Sequence, residues 1–258
     1  MALADDDETY ILLLLADSNL PTGSFVASAG LESYLTHAFK STMSFIENSI
    51  PSYTRSALPL VSDAHRAVSQ HKTRSGSEDG VLATLTSLDN LYETMTLNHV
   101  SRRASKSQGV ALLTLYSKAF THKAKDDSMS SLVAQYKSSI RREEAPGHLP
   151  VCWGILTAAL GLTLARSQYL HIFLHARSLL SAAVRLNDIG PYNAQHLLLH
   201  DARPMIAAAV SQCEDLHTGV LDELLDEEED EKGPANTWPL GEILATRHDL
   251  QHSRIFNS

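Results

Sequence analysis

The sequence predicts an all-α protein, a single-domain multi-helix bundle, and three observations point that way. Apolar residues recur at three- and four-residue spacing over most of the 258 residues, the pattern of helices with one buried face. Runs of alternating β-branched residues are scarce, so the period-two signal of strands is missing. A hydrophobic fraction of 43% with 20% charged residues belongs to a chain that buries a core rather than to a disordered one. One large helical domain is expected over residues 1–217, an acidic linker over 218–236, and a partner-binding tail over 237–258.

The elements follow from the amino end. Met1 to Glu8 is acidic where a secretory signal would be basic, and the apolar run Ile11 to Ala16 is too short for a signal core. Pro21 and Gly23 mark a tight turn. Leu82, Leu85, Leu88, Leu91, Tyr92 and Met95 fall on one helical stripe, and Val110, Leu113, Leu115, Tyr116 and Phe120 mark the next helix. Helix breaks are expected at Pro51, Pro59, Ser75 to Gly80, Ala145 to Pro150, Gly190-Pro191 and Pro204. Val151 to Ala165 is apolar but short of the roughly 20 residues of a bilayer span, so it reads as a buried helix. A further helix runs from Pro204 to about His217, and Trp238, Leu240, Ile243 and Leu244 predict a short one after the acidic segment.

The net charge of −9 is concentrated. Asp222 to Lys232 holds eight acids and one base, which leaves the rest of the chain nearly neutral and reads as a solvated loop. No basic stripe suits phosphate neutralisation, so nucleic acid is not an expected partner, and no membrane span is expected either. The two cysteines, Cys152 and Cys213, suit a reducing cytosol. A phosphate-wrapping Gly-Lys-Ser/Thr loop, the spaced glycines of a dinucleotide site, a Gly-x-Ser-x-Gly turn and a His-Glu-x-x-His helix are all absent. No catalytic residue and no cofactor are therefore assigned.

Thirteen histidines raise the question of metal. Three pairs stand four apart: His171 with His175, His196 with His200, and His248 with His252. On a helix such a pair shares a face, yet a full site needs further ligands. The first two pairs read as packed or solvent-facing side chains. His248 and His252 are the better candidates, and a nickel-binding metallochaperone is the second functional reading.

The most specific string is Leu14-Leu15-Ala16-Asp17-Ser18-Asn19-Leu20-Pro21-Thr22-Gly23-Ser24-Phe25, followed by Ser28, Gly30, Leu31 and Glu32. It resembles the opening of the UreF family of urease accessory proteins, an apolar helix, an Asp-Ser-x-x-Pro-x-Gly-x-Phe turn and a Ser-x-Gly-Leu-Glu helix. Further matches follow in the family's order: Arg103-Ala104-Ser105 with Gln108-Gly109, His148 with Val151 and Gly154, and Arg185-Leu186 with Gly190 and Gln195. The ending Ser253-Arg254-Ile255-Phe256 is similar to the family's Ser/Thr-Arg-Leu-Phe. Thr22, Ser24, Pro191 and the acidic insertion depart from the pattern.

The resemblance implies a non-catalytic, homodimeric scaffold that binds UreD (also called UreH), recruits the GTPase UreG, and serves nickel insertion into apo-urease. Asp17, Ser18, Glu32, Arg103, Gln108, Arg185 and Gln195 are then expected to face partners, because polar side chains prefer exposure, with Glu32 pointing away from the turn. The tail, with His248, is expected to order on UreD through Arg254 and the apolar anchors Ile255 and Phe256.

Overall fold

The computed structural model describes residues 5–38, 41–74, 78–121, 128–221 and 233–258. Among them there are helices and turns and no strand. The helices are α1 Asp5–Leu15, α2 Leu31–Ala38, α3 Thr42–Arg74, α4 Glu78–Met95, α5 His99–Leu115, α6 Ser128–Arg141, α7 Leu149–Leu160, α8 Leu164–Arg185, α9 Pro191–Leu197, α10 Arg203–Cys213 and α11 Pro239–Thr246. The expected stripe of α4 places Leu85, Leu88 and Tyr92 in the core.

The long α3 separates two apolar clusters. One joins Leu60, Val61, Leu85, Leu113, Tyr136 and Ile155. The other joins Leu31, Ile46, Leu58, Leu179 and Ile206, and takes in Phe256 from the tail. The apolar stretch after Pro150 is the buried α7, with every residue from Pro150 to Ala158 out of solvent. It packs on α3 and α5. At the α3 contact, a Cβ on Gly154 would lie 2.6 Å from the Val61 carbonyl oxygen and 2.8 Å from the Ala64 Cβ, so only glycine permits this approach. At the start of α8, the buried Glu8 accepts the Thr163 N–H at 2.7 Å and pairs with Arg166 at 3.1 Å, placing a carboxylate at the positive end of a helix.

Three expected breaks do not occur. Pro51 and Pro59 lie inside the continuous α3. Proline removes the N–H that would bond the carbonyl four residues back. For Pro59 that carbonyl belongs to Arg55, and the Ala235 N–H bonds it instead at 3.3 Å. Pro204 falls at the start of α10 without interrupting the helical path. The preceding Leu198–Ala202 forms a π turn, which contains His200, whose carbonyl Pro204 cannot serve.

Most of the expected linker, residues 222–232, lies outside the described residues. Its described flanks are held, with Thr218 donating to Asp63 through N–H at 2.8 Å and through its hydroxyl at 2.6 Å. After residue 233 the chain returns as a strap. Asn236 caps the approach to α11 by accepting the Trp238 N–H at 2.9 Å. Trp238 sets its ring edgewise against Tyr34 and Phe45, at centroid separations of 5.8 and 5.3 Å.

Candidate functional site: a clasp between the Asp17 to Glu32 segment and the C-terminal strap

The sequence-specific turn is built locally. Asp17 accepts the Asn19 N–H at 2.9 Å, an Asx turn that starts the reversal. Gly23 takes φ +71° and leads into a short 3₁₀ turn, Ser24–Val26. Gly30 adopts φ +89°, and a Cβ there would meet the Ala245 Cβ at 2.9 Å. Both the backbone conformation and the close passage of α11 demand glycine at that position.

Past this turn the strap is seated on the body within the same chain. Val26 accepts the Asn257 N–H at 2.8 Å, and Ser28 donates its N–H to the Ser258 carbonyl at 2.5 Å. Glu32 reverses the expectation that it points outward. It is buried and its two oxygens accept the Ile255 and Phe256 N–H groups at 2.6 and 3.2 Å. The reason is backbone satisfaction: two strap amides turned into the body need an acceptor, and a carboxylate makes strong charge-assisted bonds.

Phe256 is likewise buried rather than a free anchor. The Arg185 guanidinium lies 4.3 Å from its ring centroid and donates to the Phe25 carbonyl, combining a cation–π contact with a backbone bond. Burial lowers the Arg185 pKa. On the rim, Arg103 holds Asp249 through two bonds of 3.0 and 2.9 Å and also donates to the Asn257 carbonyl at 2.8 Å. Arg254 reaches the same carboxylate at 2.8 Å. The Arg103 bond first, with His99 and Arg254 adding to it, holds the Asp249 carboxyl well below the usual range.

The histidine expectation also changes. His248 and His252 do not share a helical face, because the 3₁₀ turn Arg247–Leu250 ends between them. His248 is fully buried with Nε2 3.2 Å from the Phe256 carbonyl and Nδ1 3.8 Å from Glu32, while His252 is exposed. Among the described residues no three His, Cys, Asp or Glu side chains are grouped as a metal would need.

The clasp thus gathers Glu32, Arg103, Arg185, His248, Arg254, Ile255 and Phe256. It also uses Asp249, which the sequence reading missed; an acid in a tail with several cations gives no signal until Arg103 is seen opposite it. Asp17, Ser18 and Gln108 belong to a different feature, the lining of a chamber of about 230 Å³ that opens to solvent beside the exposed Asp17 and Ser18. Gln195 stands on the exposed face of α9, which packs on α8.

The chamber contains a stacked trio. Tyr53 lies against His175 at a centroid distance of 4.0 Å and His171 at 5.6 Å. The Tyr53 hydroxyl is 3.0 Å from His171 Nε2, and the Ser49 hydroxyl 3.1 Å from His175 Nε2. Burial pulls the two imidazole pKa values down to about 3 and about 4 respectively, so both rings are neutral near pH 7.

Comparison with known proteins supplies the family. The family model for UreF matches residues 37–201. A urease accessory protein 6 from Cryptococcus neoformans var. grubii is 40% identical, with 97% of each chain covered. A UreF-like urease accessory protein from Schizosaccharomyces pombe is 29% identical, again over 97% of both. Urease accessory protein F of Oryza sativa subsp. indica is 33% identical over 74% of this chain and 69% of its own. Each of the two fungal matches covers 97% of this chain and the family model more than half of it, and the chain belongs to the UreF family of urease accessory proteins.

Proposed function

We propose that this chain acts in urease maturation as a non-catalytic adaptor. It joins UreD (UreH) to the GTPase UreG, and the assembly inserts nickel into apo-urease at the expense of GTP, with the chain present as a homodimer. The observation that supports this most is the two-sided strap. Its inner face, Ala245, His248 and Phe256, is buried on the body, while Leu240, Ile243, Leu250 and Ile255 on its outer face are 51–76% exposed. Bare aliphatic groups on such a segment suit protein recognition.

Ile255 remains available as an apolar anchor for UreD, whereas Glu32, His248 and Phe256 act from beneath by fixing the strap's shape. Arg103, Arg185 and Arg254 set the rim that UreG or UreD would meet, and Asp17, Ser18, Gln108 and Gln195 contribute outside the clasp. The metallochaperone alternative loses its paired donors, since His248 points inward. No helix among the described residues is long and apolar enough to cross a membrane, consistent with action in the cytoplasm.

The test is co-purification with UreD and UreG from the same source in GTP and magnesium, followed by activation of apo-urease. Wild-type assembly and activation are expected. Replacing Ile243 and Ile255 together with Asp should abolish UreD capture while helicity is retained. Capture unchanged by that pair would remove the strap from the interface, and turnover of a substrate by the isolated chain would overturn the adaptor reading.

A further inference from the structure

Of the three histidine pairs that stand four apart, folding engages two. His171 and His175 are stacked on Tyr53, each with Nε2 at a hydroxyl. His248 is buried beneath the strap while His252 is exposed. The third pair, His196 and His200, lies on the helical path from α9 into the π turn Leu198–Ala202. Both residues are exposed and their ring centroids are 4.6 Å apart. Among the described residues the two rings meet each other and the Asp201 carboxylate, and no hydrogen bond engages either.

The backbone that carries this pair is seated from below. Ala194 and Ala202 are buried, and Leu197 and Leu198 pack against the second apolar cluster. Donors on a fixed backbone lose less freedom when they bind a ligand. The π turn adds a charge to them. In a regular α-helix Asp201 would stand about 140° around the axis from His196. Hydrogen bonds that reach back five residues narrow that angle, and Asp201 Oδ2 lies 4.0 Å from His196 Nδ1. This is too long for a hydrogen bond, yet close enough for the negative charge to favour a cation beside the imidazoles. No third ligating side chain joins the pair among the described residues, so water would complete the shell of an ion bound there.

We propose that His196 and His200 chelate a divalent late-transition-metal ion on the surface of the π turn, with Asp201 contributing charge from outside the coordination shell. Imidazole nitrogens suit ions such as Ni²⁺, Cu²⁺ and Zn²⁺, whereas Mg²⁺ and Ca²⁺ require oxygen ligands that the pair does not offer. Two protein ligands make an open, exchangeable site, unlike the closed four-ligand sites of structural zinc. The inference goes beyond the adaptor reading and stands without it, because it uses no residue of the clasp or the strap.

Calorimetric titration of the untagged full-length chain with NiCl₂ tests the site. Saturable binding is expected with NiCl₂ and none with MgCl₂. His196→Ala and His200→Ala should each weaken Ni²⁺ binding about tenfold or more, since loss of an outer-shell partner alone commonly costs that much. Both side chains are exposed, so far-ultraviolet dichroism should keep its helical form in each variant. The thermal midpoint gives a second readout. An ion held by the native pair raises it, so NiCl₂ should raise the midpoint of the wild-type chain and leave that of the double variant unmoved. Asp201→Asn should give a smaller loss of affinity that shrinks as salt is raised, and His252→Ala should change neither readout.

Ni²⁺ binding of equal strength in the wild-type chain and the double variant would overturn the site. A loss on His252→Ala as large as that on His196→Ala would place the ion elsewhere among the thirteen histidines. Equal binding of Mg²⁺ would replace the imidazole chelate with attraction to an acidic surface.

Discussion

Helix α7 and the strap are both buried against the same body, yet they are held in different ways. From Pro150 to Ala158 every residue of α7 is out of solvent, and its glycine lets α3 approach to the limit of van der Waals contact. The strap leaves four large aliphatic side chains bare and is held beneath them by Trp238, Ala245 and Phe256, by a few backbone bonds and the buried Glu32 carboxylate, and by a rim of ions. Close packing spreads its energy over many weak contacts and cannot be partly undone. A clasp of a few directional bonds can be released while the fold survives. Within one chain, the first arrangement makes a frame and the second makes a part that can respond to a partner.

The sharpest way to break this contrast is to insert a single methyl group into the frame. Gly154→Ala would drive a Cβ into the Val61 carbonyl and the Ala64 side chain, both on α3. Backbone cannot step aside as a flexible side chain does, so a loss of about 3 kcal/mol in denaturant-derived stability is expected. Tolerance of alanine would mean that α3 and α7 are less tightly engaged than their geometry implies.

A second probe addresses the polar part of the frame. Asp89 is fully buried. It accepts the Tyr136 hydroxyl at 2.7 Å, the His148 N–H at 2.9 Å and the Gly147 N–H, joining α4, α6 and the turn before α7. Burial raises its pKa and these bonds oppose the rise. Asp89→Asn keeps the volume but turns an amide N–H₂ toward groups that donate, and about 2 kcal/mol of destabilisation is expected in chemical unfolding. An unchanged midpoint would remove this junction from the frame.

Acid should separate the regions further. The pKa of His171 is lowered to about 3 and that of His175 to about 4, against about 6.5 in an unfolded chain. The unfolded state therefore binds more protons as pH falls below 6.5, and the folded state loses stability until those lower values are reached. The slope from the two rings fades about one pH unit above 6.5, where the unfolded imidazoles are neutral as well. Unfolding free energy followed from pH 7 to pH 4.5 should decline, and His175→Gln should flatten that decline; an identical slope in the variant would assign the acid sensitivity elsewhere.

How much of this was legible in the sequence follows from the range of each signal. The stripe through Leu85, Leu88 and Tyr92 and the buried run after Pro150 are short-range patterns, and both appear as helices of the bundle. The turn at Asp17 to Gly23 was readable because its cause is local. Pro59 was misread because the partner for the Arg55 carbonyl, Ala235, is supplied from far along the chain. Glu32 was misread for the same reason: carboxylates usually prefer water, and nothing near position 32 announces two amides from positions 255 and 256. The quoted motifs carried the family and the clasp's members other than Asp249, while their inward or outward orientation depended on contacts that only folding creates.

The smallest expected effect compares the strap's upper and lower surfaces. Asp249 binds Arg103 and Arg254 on the rim, where the carboxylate is 31% exposed and the two arginines 49% and 39%. Solvent weakens such pairs and salt screens them, so Asp249→Ala should cost at most about 1 kcal/mol of global stability. Its clearer effect should be on strap release, read by cleavage at Arg254, with the difference from wild type shrinking as salt is raised. Glu32 lies beneath the strap and bonds backbone amides out of solvent, so release caused by Glu32→Gln should persist at high salt. If both variants lost their effect with salt, the clasp would be a surface ion network and the distinction between rim and underside would collapse. If neither depended on salt, the rim ions would be passengers on a strap held from below by Glu32 and Phe256.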